Sequence, residues 1–232
     1  MKYIDVGGGP IGIEAALSLT QKGYDVMVIE MGPSIASNIE LWRDVTLFSP
    51  NSLNMSTNGI AVLNQRNFAI PNPDEFMTGG QFIDRYLRPL ESHLLQCGKC
   101  SFLYDTKVLC VAKEGLSKGS LGDKTIRAAA KFNILVSTKS DVGVAADTSY
   151  VESYLHSDAV VDATGTYNNP NYAGAGGLPA LGELSLRQCP NLLSYYIANP
   201  SDITDLTANT VVAVLGSGTS AITSLKRQWS AL

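Results

Sequence analysis

The chain has few of the residues that mark most catalytic or binding classes. Its 232 residues include two histidines and four cysteines, and 16% are charged, with a net charge of −4. His93 and His156 lie far apart, one on a predicted helix and one just before a predicted strand, and read as surface or packing residues. No Ser-His-Asp set and no Cys/His cluster with zinc spacing is visible. Four cysteines in a chain of this length do not form a secreted disulfide framework. The mild negative charge argues against a nucleic-acid partner. The one basic cluster, Lys118, Lys124, Arg127 and Lys131, stands among Gly, Ser and Asp residues and reads as a solvated hairpin. No apolar run reaches the ~18 residues of a membrane span. Met1 and Lys2 lead straight into a strand-like segment, with no signal peptide. The expectation is a soluble, cytoplasmic protein, and 45% hydrophobic residues are ample for a packed core.

What is present is an alternation of short apolar segments and glycine-rich punctuation. "KYIDV" (Lys2–Val6) predicts a strand, "GGGPIG" (Gly7–Gly12) a turn and "IGIEAALSLTQKG" a helix that stops at Gly23. "YDVMVIE" (Tyr24–Glu30) predicts a second strand, so the chain opens as a β-α-β unit with a parallel sheet. Residues 31–80 carry mostly loop signals. "GGQFIDRYLRPLESHLL" predicts a helix capped by Thr78, with Phe82, Tyr86, Leu90 and Leu94 along one side and a kink at Pro89. "TKVLCVA" and "KFNILVST" predict two strands of a small sheet joined by the basic loop. "DAVVDATG" (Asp158–Gly165) predicts a buried parallel strand ending in a turn, and residues 166–204 read as a connection. A final strand, glycine turn and helix begin at Val211.

Gly7-Gly8-Gly9-Pro10-Ile11-Gly12 fits G-x-G-x-x-G between a strand and a helix. Gly7 allows the tight turn, Gly9 leaves room for a pyrophosphate, and Gly12 lets the helix approach the strand. Pro10 suits the first helical position, where its missing N–H costs no bond. The free N–H groups and the helix dipole favour a phosphate. Glu30 closes the second strand, 23 residues after Gly7, where a carboxylate would accept hydrogen bonds from ribose hydroxyls and repel a 2′-phosphate. Asp5 is discordant, because a central parallel strand is normally apolar and a buried unpaired carboxylate is costly. It is expected at a sheet margin or on a shortened strand.

Two further signals complete the pattern. The strand ending at Asp162 runs into Ala163-Thr164-Gly165, and Gly216, Gly218 and Ala221 fit G-x-G-x-x-A, 209 residues after the first glycine turn. Together these resemble the two-dinucleotide-binding-domain flavoproteins, nearest to the flavin-dependent monooxygenase-like FAD/NAD(P)-binding oxidoreductases. "LWRDVTLFSPNSLNMS" and "TGGQFIDRYLRPL" are also similar to segments of those proteins. The resemblance implies an α/β fold: a Rossmann-like FAD-binding domain with a parallel sheet and a small β insertion over residues 1–204, then the truncated start of a second Rossmann-like domain over 205–232. It implies that Gly7, Gly8, Gly9, Pro10, Ile11 and Gly12 surround the FAD pyrophosphate and that Glu30 holds the adenosine ribose. Val108 would meet the adenine through its backbone, and Thr164 and Gly165 would lie near the flavin nucleotide. Gly216, Gly218 and Ala221 would face NAD(P)H. In this class NAD(P)H passes a hydride to the flavin, which then reduces an acceptor or oxygenates a small-molecule substrate. The Phe-x-Gly and His signature of the flavin-containing and Baeyer–Villiger monooxygenases is missing from "NLLSYYIANPSDITDL". The segment that returns to the FAD fold in that class is missing as well.

Three readings stand at this point. One is an NAD(P)H-linked flavoenzyme, one a non-catalytic remnant that binds FAD or ADP weakly or not at all. The third is a disulfide oxidoreductase using the C-x-x-C pair Cys97 and Cys100. Trp42, Arg43 and Asn54 are candidates for lining a substrate pocket, or for structural roles.

Overall fold

A computed structural model describes residues 1–117, 119, 124–140, 149–189 and 211–229. Strand β1 (Lys2–Val6), helix α1 (Pro10–Gln21) and strand β2 (Asp25–Ile29) form the opening β-α-β unit. Pro10 is the first residue of α1. Gly23 ends the helix with φ +87, and the N–H groups of Gly23 and Tyr24 bond to the carbonyls of Thr20 and Leu19. Three helices follow: α2 (Ser37–Glu40), α3 (Asn51–Asn54) and α4 (Thr57–Gln65). A helical rod comes next, made of α5 (Gly79–Phe82), a π-helical stretch over Ile83–Leu87, and α6 (Arg88–Gln96). Then come β3 (Cys100–Leu103), β4 (Thr106–Lys113), α7 (Lys124–Ala129), β5 (Phe132–Ser140), β6 (Ser149–Ser157) and β7 (Ala159–Asp162). A 3-10 turn (Ala175–Gly177), the short α8 (Glu183–Leu186) and α9 (Thr219–Trp229) follow.

The main sheet is Rossmann-like: four parallel strands in the order β3-β2-β1-β7. Side chains alternate across it with period two. Val26 and Val28 face α1, α4 and the rod, in a core with Ile13, Leu17, Leu63, Leu90 and Leu94. Ile4, Val6 and Ile29 face the other way, against Ile134 and Val136 of the antiparallel sheet β4-β5-β6. The insertion therefore covers one face of the parallel sheet, and the helices cover the other. Among the described residues no helix is long and apolar enough to cross a membrane.

The rod begins as the sequence predicts. Thr78 and Gln81 form a capping box, each side chain bonded to the other's backbone N–H. The π-helical stretch ends two residues before Pro89, whose ring and missing N–H would disturb an α-helical bond to the carbonyl of Arg85. The rod is tied to the first β-α-β unit by Tyr86, whose hydroxyl meets the Glu14 carboxylate and accepts the Ser56 N–H at 2.8 Å. The Ser56 hydroxyl donates to Glu14 at 2.7 Å and accepts the Gly59 N–H at 2.8 Å, capping α4.

Several elements depart from expectation. Residues 31–80 hold three helices, the longest, α4, held by packing against α1 and α6. The insertion has a third strand, β6, which pairs along the whole of β5. Part of the basic cluster forms the exposed helix α7 in place of a hairpin, and Lys118 lies outside the described residues. β7 is half-buried, because among the described residues it pairs on one side only. Residues 211–217 form no strand and are largely exposed, Val211 at 93% and Leu215 at 75%, because no described strand pairs with them. The proposed boundary at 204/205 and the segment Asn191–Leu206 lie outside the described residues.

Asp5 is the largest correction. It is the penultimate residue of β1, an internal strand between β2 and β7, in register with Val28 and Val161. It is fully buried, and both carboxylate oxygens lack a hydrogen-bond partner. Burial pushes its carboxyl up to about 8 from the ordinary 3.8. The folded state thus favours the neutral acid. The stability this confers is full below the ordinary carboxyl range and is lost as pH rises through about 8. Asp5→Asn removes this dependence, so in urea melts its advantage over the wild type grows from pH 4 to pH 8. Equal pH profiles for the two proteins contradict the assignment. Tyr86→Phe leaves Glu14 and the Ser56 N–H short of a partner, and its urea midpoint falls by the equivalent of about 1–3 kcal/mol.

Candidate functional site

The glycine turn lies at the carboxyl ends of β1, β2 and β7, where open parallel sheets receive ligands. Gly7 has φ +114, and a Cβ there would stand 2.5 Å from the Ala163 carbonyl oxygen. A Cβ on Gly12 would stand 1.8 Å from the Gly7 carbonyl oxygen, so only glycine lets α1 start this close to β1. A Cβ on Gly9 would meet nothing within 4 Å. That open side is where a pyrophosphate needs to approach. Gly9 caps α1 without a side-chain bond, so the first-turn N–H groups are offered to a ligand rather than to a protein side chain.

Glu30 is held by backbone on two sides. One carboxylate oxygen accepts the Gly8 N–H at 2.8 Å and the other the Gly32 N–H at 2.9 Å. The Gly8 carbonyl accepts the Ala36 N–H at 2.9 Å, so the loop after β2 is bonded to the glycine turn twice. Backbone bonds from Thr106 to Glu30 and from Asp105 to Gly32 fix the start of β4 alongside. These ties shape a cleft of about 180 Å³ whose walls include Gly7, Glu30, Val108 and Thr164. Four residues separated by as many as 157 positions thus share one cavity.

Asn38 of α2 and Lys107 of β4 line the same cleft and were not identified from sequence. Lys107 adjoins Val108, which was the one available signal. Asn38 gave none, since α2 itself was not anticipated. Thr164 donates its hydroxyl (2.8 Å) and its N–H (3.2 Å) to Asp162, and these bonds hold the exposed Asp162 carboxyl below its usual range. Gly165 follows with φ +66. Pro10 is half-buried and Ile11 exposed in the first turn of α1.

The second glycine turn repeats the backbone of the first. Gly216 has φ +113, beside +114 at Gly7, and the Ile222 N–H bonds the Gly218 carbonyl as the Ile13 N–H bonds that of Gly9. Gly216 and Gly218 are exposed and Ala221 half-buried, and none of the three lines the cleft.

Other candidates fall outside the cleft. Trp42 packs into the core against Gly79, where a Cβ would lie 2.8 Å from its ring. Arg43 pairs with Glu40 and with Asp84. Asn54 bonds Ser49 and the Pro50 carbonyl. His93 accepts a bond from Arg66 at 3.1 Å, and burial, then Arg66, lowers its affinity for a proton. Among the described residues no group of three His, Cys, Asp or Glu is placed to hold a metal.

Cys97 and Cys100 lie away from the glycine turn. Cys100 opens β3 and pairs with Val26, at the end of the sheet opposite Leu103, Ile29 and Val6. The strand rise places it about 10 Å from the carboxyl edge. Burial, with smaller contributions from Cys97 and Asp5, pushes its thiol up to about 12, so it is a poor nucleophile near neutrality. Cys110 and Cys189 are exposed. Timed iodoacetamide labelling at pH 8, read by peptide mass spectrometry, is expected to modify Cys110 well before Cys100; the reverse order contradicts this placement.

Residues 4–50 match the family described as pyridine nucleotide-disulphide oxidoreductase. Among solved structures the chain is similar to the bacillithiol disulfide reductase of Bacillus cereus, with 23% identity and a TM-score of 0.49 over 74% of this chain and 42% of that one. The Staphylococcus aureus reductase gives 20% identity and a TM-score of 0.46 over 76% and 43%. An oxidized steroid monooxygenase bound to NADP gives 14% and 0.45 over 71% and 26%. The chain thus spans less than half the length of these proteins. No curated protein sequence matches it.

Proposed function

We propose that the cleft beside the glycine turn binds the adenosine diphosphate part of FAD, and that the chain serves an NAD(P)H-linked, monooxygenase-like flavin oxidoreduction acting on a small-molecule substrate. The observation that carries this reading is the convergence of Gly7, Glu30, Val108 and Thr164 on one cavity at the carboxyl edge of a parallel sheet. The match of residues 4–50 to the pyridine nucleotide-disulphide oxidoreductase family supports its oxidoreductase part.

The residues present fit such a ligand. The open side of Gly9 and the uncapped start of α1 suit a diphosphate, which the N–H groups and the helix dipole would hold. Glu30, oriented by Gly8 and Gly32, keeps lone pairs for two ribose hydroxyls. Its charge disfavours a 2′-phosphate at this position. The half-buried backbone around Val108 would face the adenine. A flavin held here would supply two-electron transfer between a reduced nicotinamide and an acceptor; the protein's part is orientation and electrostatics. The repeated backbone at Gly216 favours a second reading of that turn, as the diphosphate contact for NAD(P)H.

Adding FAD to the purified chain is expected to give a retained flavin absorption after gel filtration. Glu30→Gln should weaken binding roughly 10- to 100-fold, the loss of one or two charge-assisted hydrogen bonds. ADP-ribose should compete better than its 2′-phosphate. No retained flavin, together with no competition by ADP-ribose, rejects the reading.

A further inference from the structure

We infer that Asp5 couples proton binding to diphosphate binding at the glycine turn: the dinucleotide binds when the Asp5 carboxyl is a neutral acid and is expelled when it ionises. This rests on the nucleotide-site reading above and concerns a residue outside the cleft's own lining.

Asp5 is fully buried directly beneath the turn, and its Oδ1 would lie 3.5 Å from a Cβ on Gly12, in the first turn of α1. Neither oxygen has a hydrogen-bond partner. The same helix end is offered upward, through the open side of Gly9, to the incoming phosphates. One helix N-terminus therefore lies between two acids. Its positive end favours an anion on either side, but two anions within its first turn repel each other through protein rather than water.

Among the described residues no surrounding element supplies a compensating cation. β2 presents Val28 and β7 presents Val161 in register with Asp5. From α1, Gly12 comes close to it, while Glu14 is turned to Ser56 and Tyr86. From β3, Cys100 interacts electrostatically with Asp5 and itself holds its proton, and Cys97 at the end of α6 acts on Cys100. Among the described residues no ion pair involves Asp5. Among the described residues only a proton is thus positioned to neutralise this site, and linkage makes the effect reciprocal: a bound diphosphate tightens the proton on Asp5.

Burial pushes the Asp5 carboxyl up to about 8. FAD and ADP-ribose are suitable probes, since their diphosphate diesters keep a constant charge between pH 6 and pH 9. Wild-type affinity for either is expected to be about tenfold weaker at pH 9 than at pH 6, the fraction of neutral Asp5 setting the competent population. Asp5→Asn should bind with a flat profile and more tightly than the wild type at pH 9. Calorimetry of the wild type at pH 8 in buffers of different ionisation enthalpy should show uptake of about half a proton per ligand bound. Tight binding with parallel profiles and no proton uptake overturns the coupling and leaves the nucleotide reading intact. Binding by neither protein at any pH rejects both.

Discussion

The site depends on how closely α1 starts to β1. That distance is set by an absence of atoms: a Cβ on Gly12 would collide with the Gly7 carbonyl, and one on Gly7 with the Ala163 carbonyl. Because neither exists, the strand can turn into a helix within three residues. The helix N-terminus then points at the carboxyl edge of the sheet, where three strands end together. Any larger residue at either position would lift the helix, opening the contact with Val28 and moving the N–H groups off the ligand axis.

Around that contact the chain builds one wall at a time. Glu30 bonds the glycine turn to the loop after β2, and the backbone of β4 bonds to Glu30 in turn. The insertion sheet covers one face of the parallel sheet through Ile134 and Val136 and places Val108 and Lys107 beside the turn. A carboxylate that is a ligand contact in the proposed reading is therefore also a structural tie. The same arrangement separates the C-x-x-C pair from the cleft, by putting it at the other end of β3. A half-buried cysteine pair whose Cys100 holds its proton tightly, one strand length from the carboxyl edge of the sheet, is poorly placed to react with a group held in the cleft.

The legible parts of the sequence were those with local causes. Gly7–Gly12, Pro10 and Gly23 marked the ends of α1 because turn and cap geometry is decided within a few residues. Thr78 marked the start of the rod for the same reason. The helix α4 escaped notice because Asn58 and Gly59 are weak helix formers; packing on α1 and α6, and the fit of Gly59 under Tyr86, override that preference. β6 carries polar residues on half its positions, and pairing with β5 is what makes it a strand. The strand expected at Val211 failed conversely: its apolar run is strong, but a parallel strand needs neighbours, and none is described beside it.

The sequence by itself determined the opening β-α-β unit, the glycine turn, the acid at the end of β2 and the capped start of the rod at Thr78, since spacing and steric demand within a few residues suffice for each. Tertiary structure decided what those residues share. It brought Val108 and Thr164 to the same cavity as Gly7 and Glu30, added Asn38 and Lys107, and carried Cys97 and Cys100 to the far edge. It also decided the state of Asp5. No local pattern shows that a carboxyl two residues before the turn will be enclosed by Val28, Val161 and the first turn of α1, because enclosure is a property of neighbours that only folding assembles.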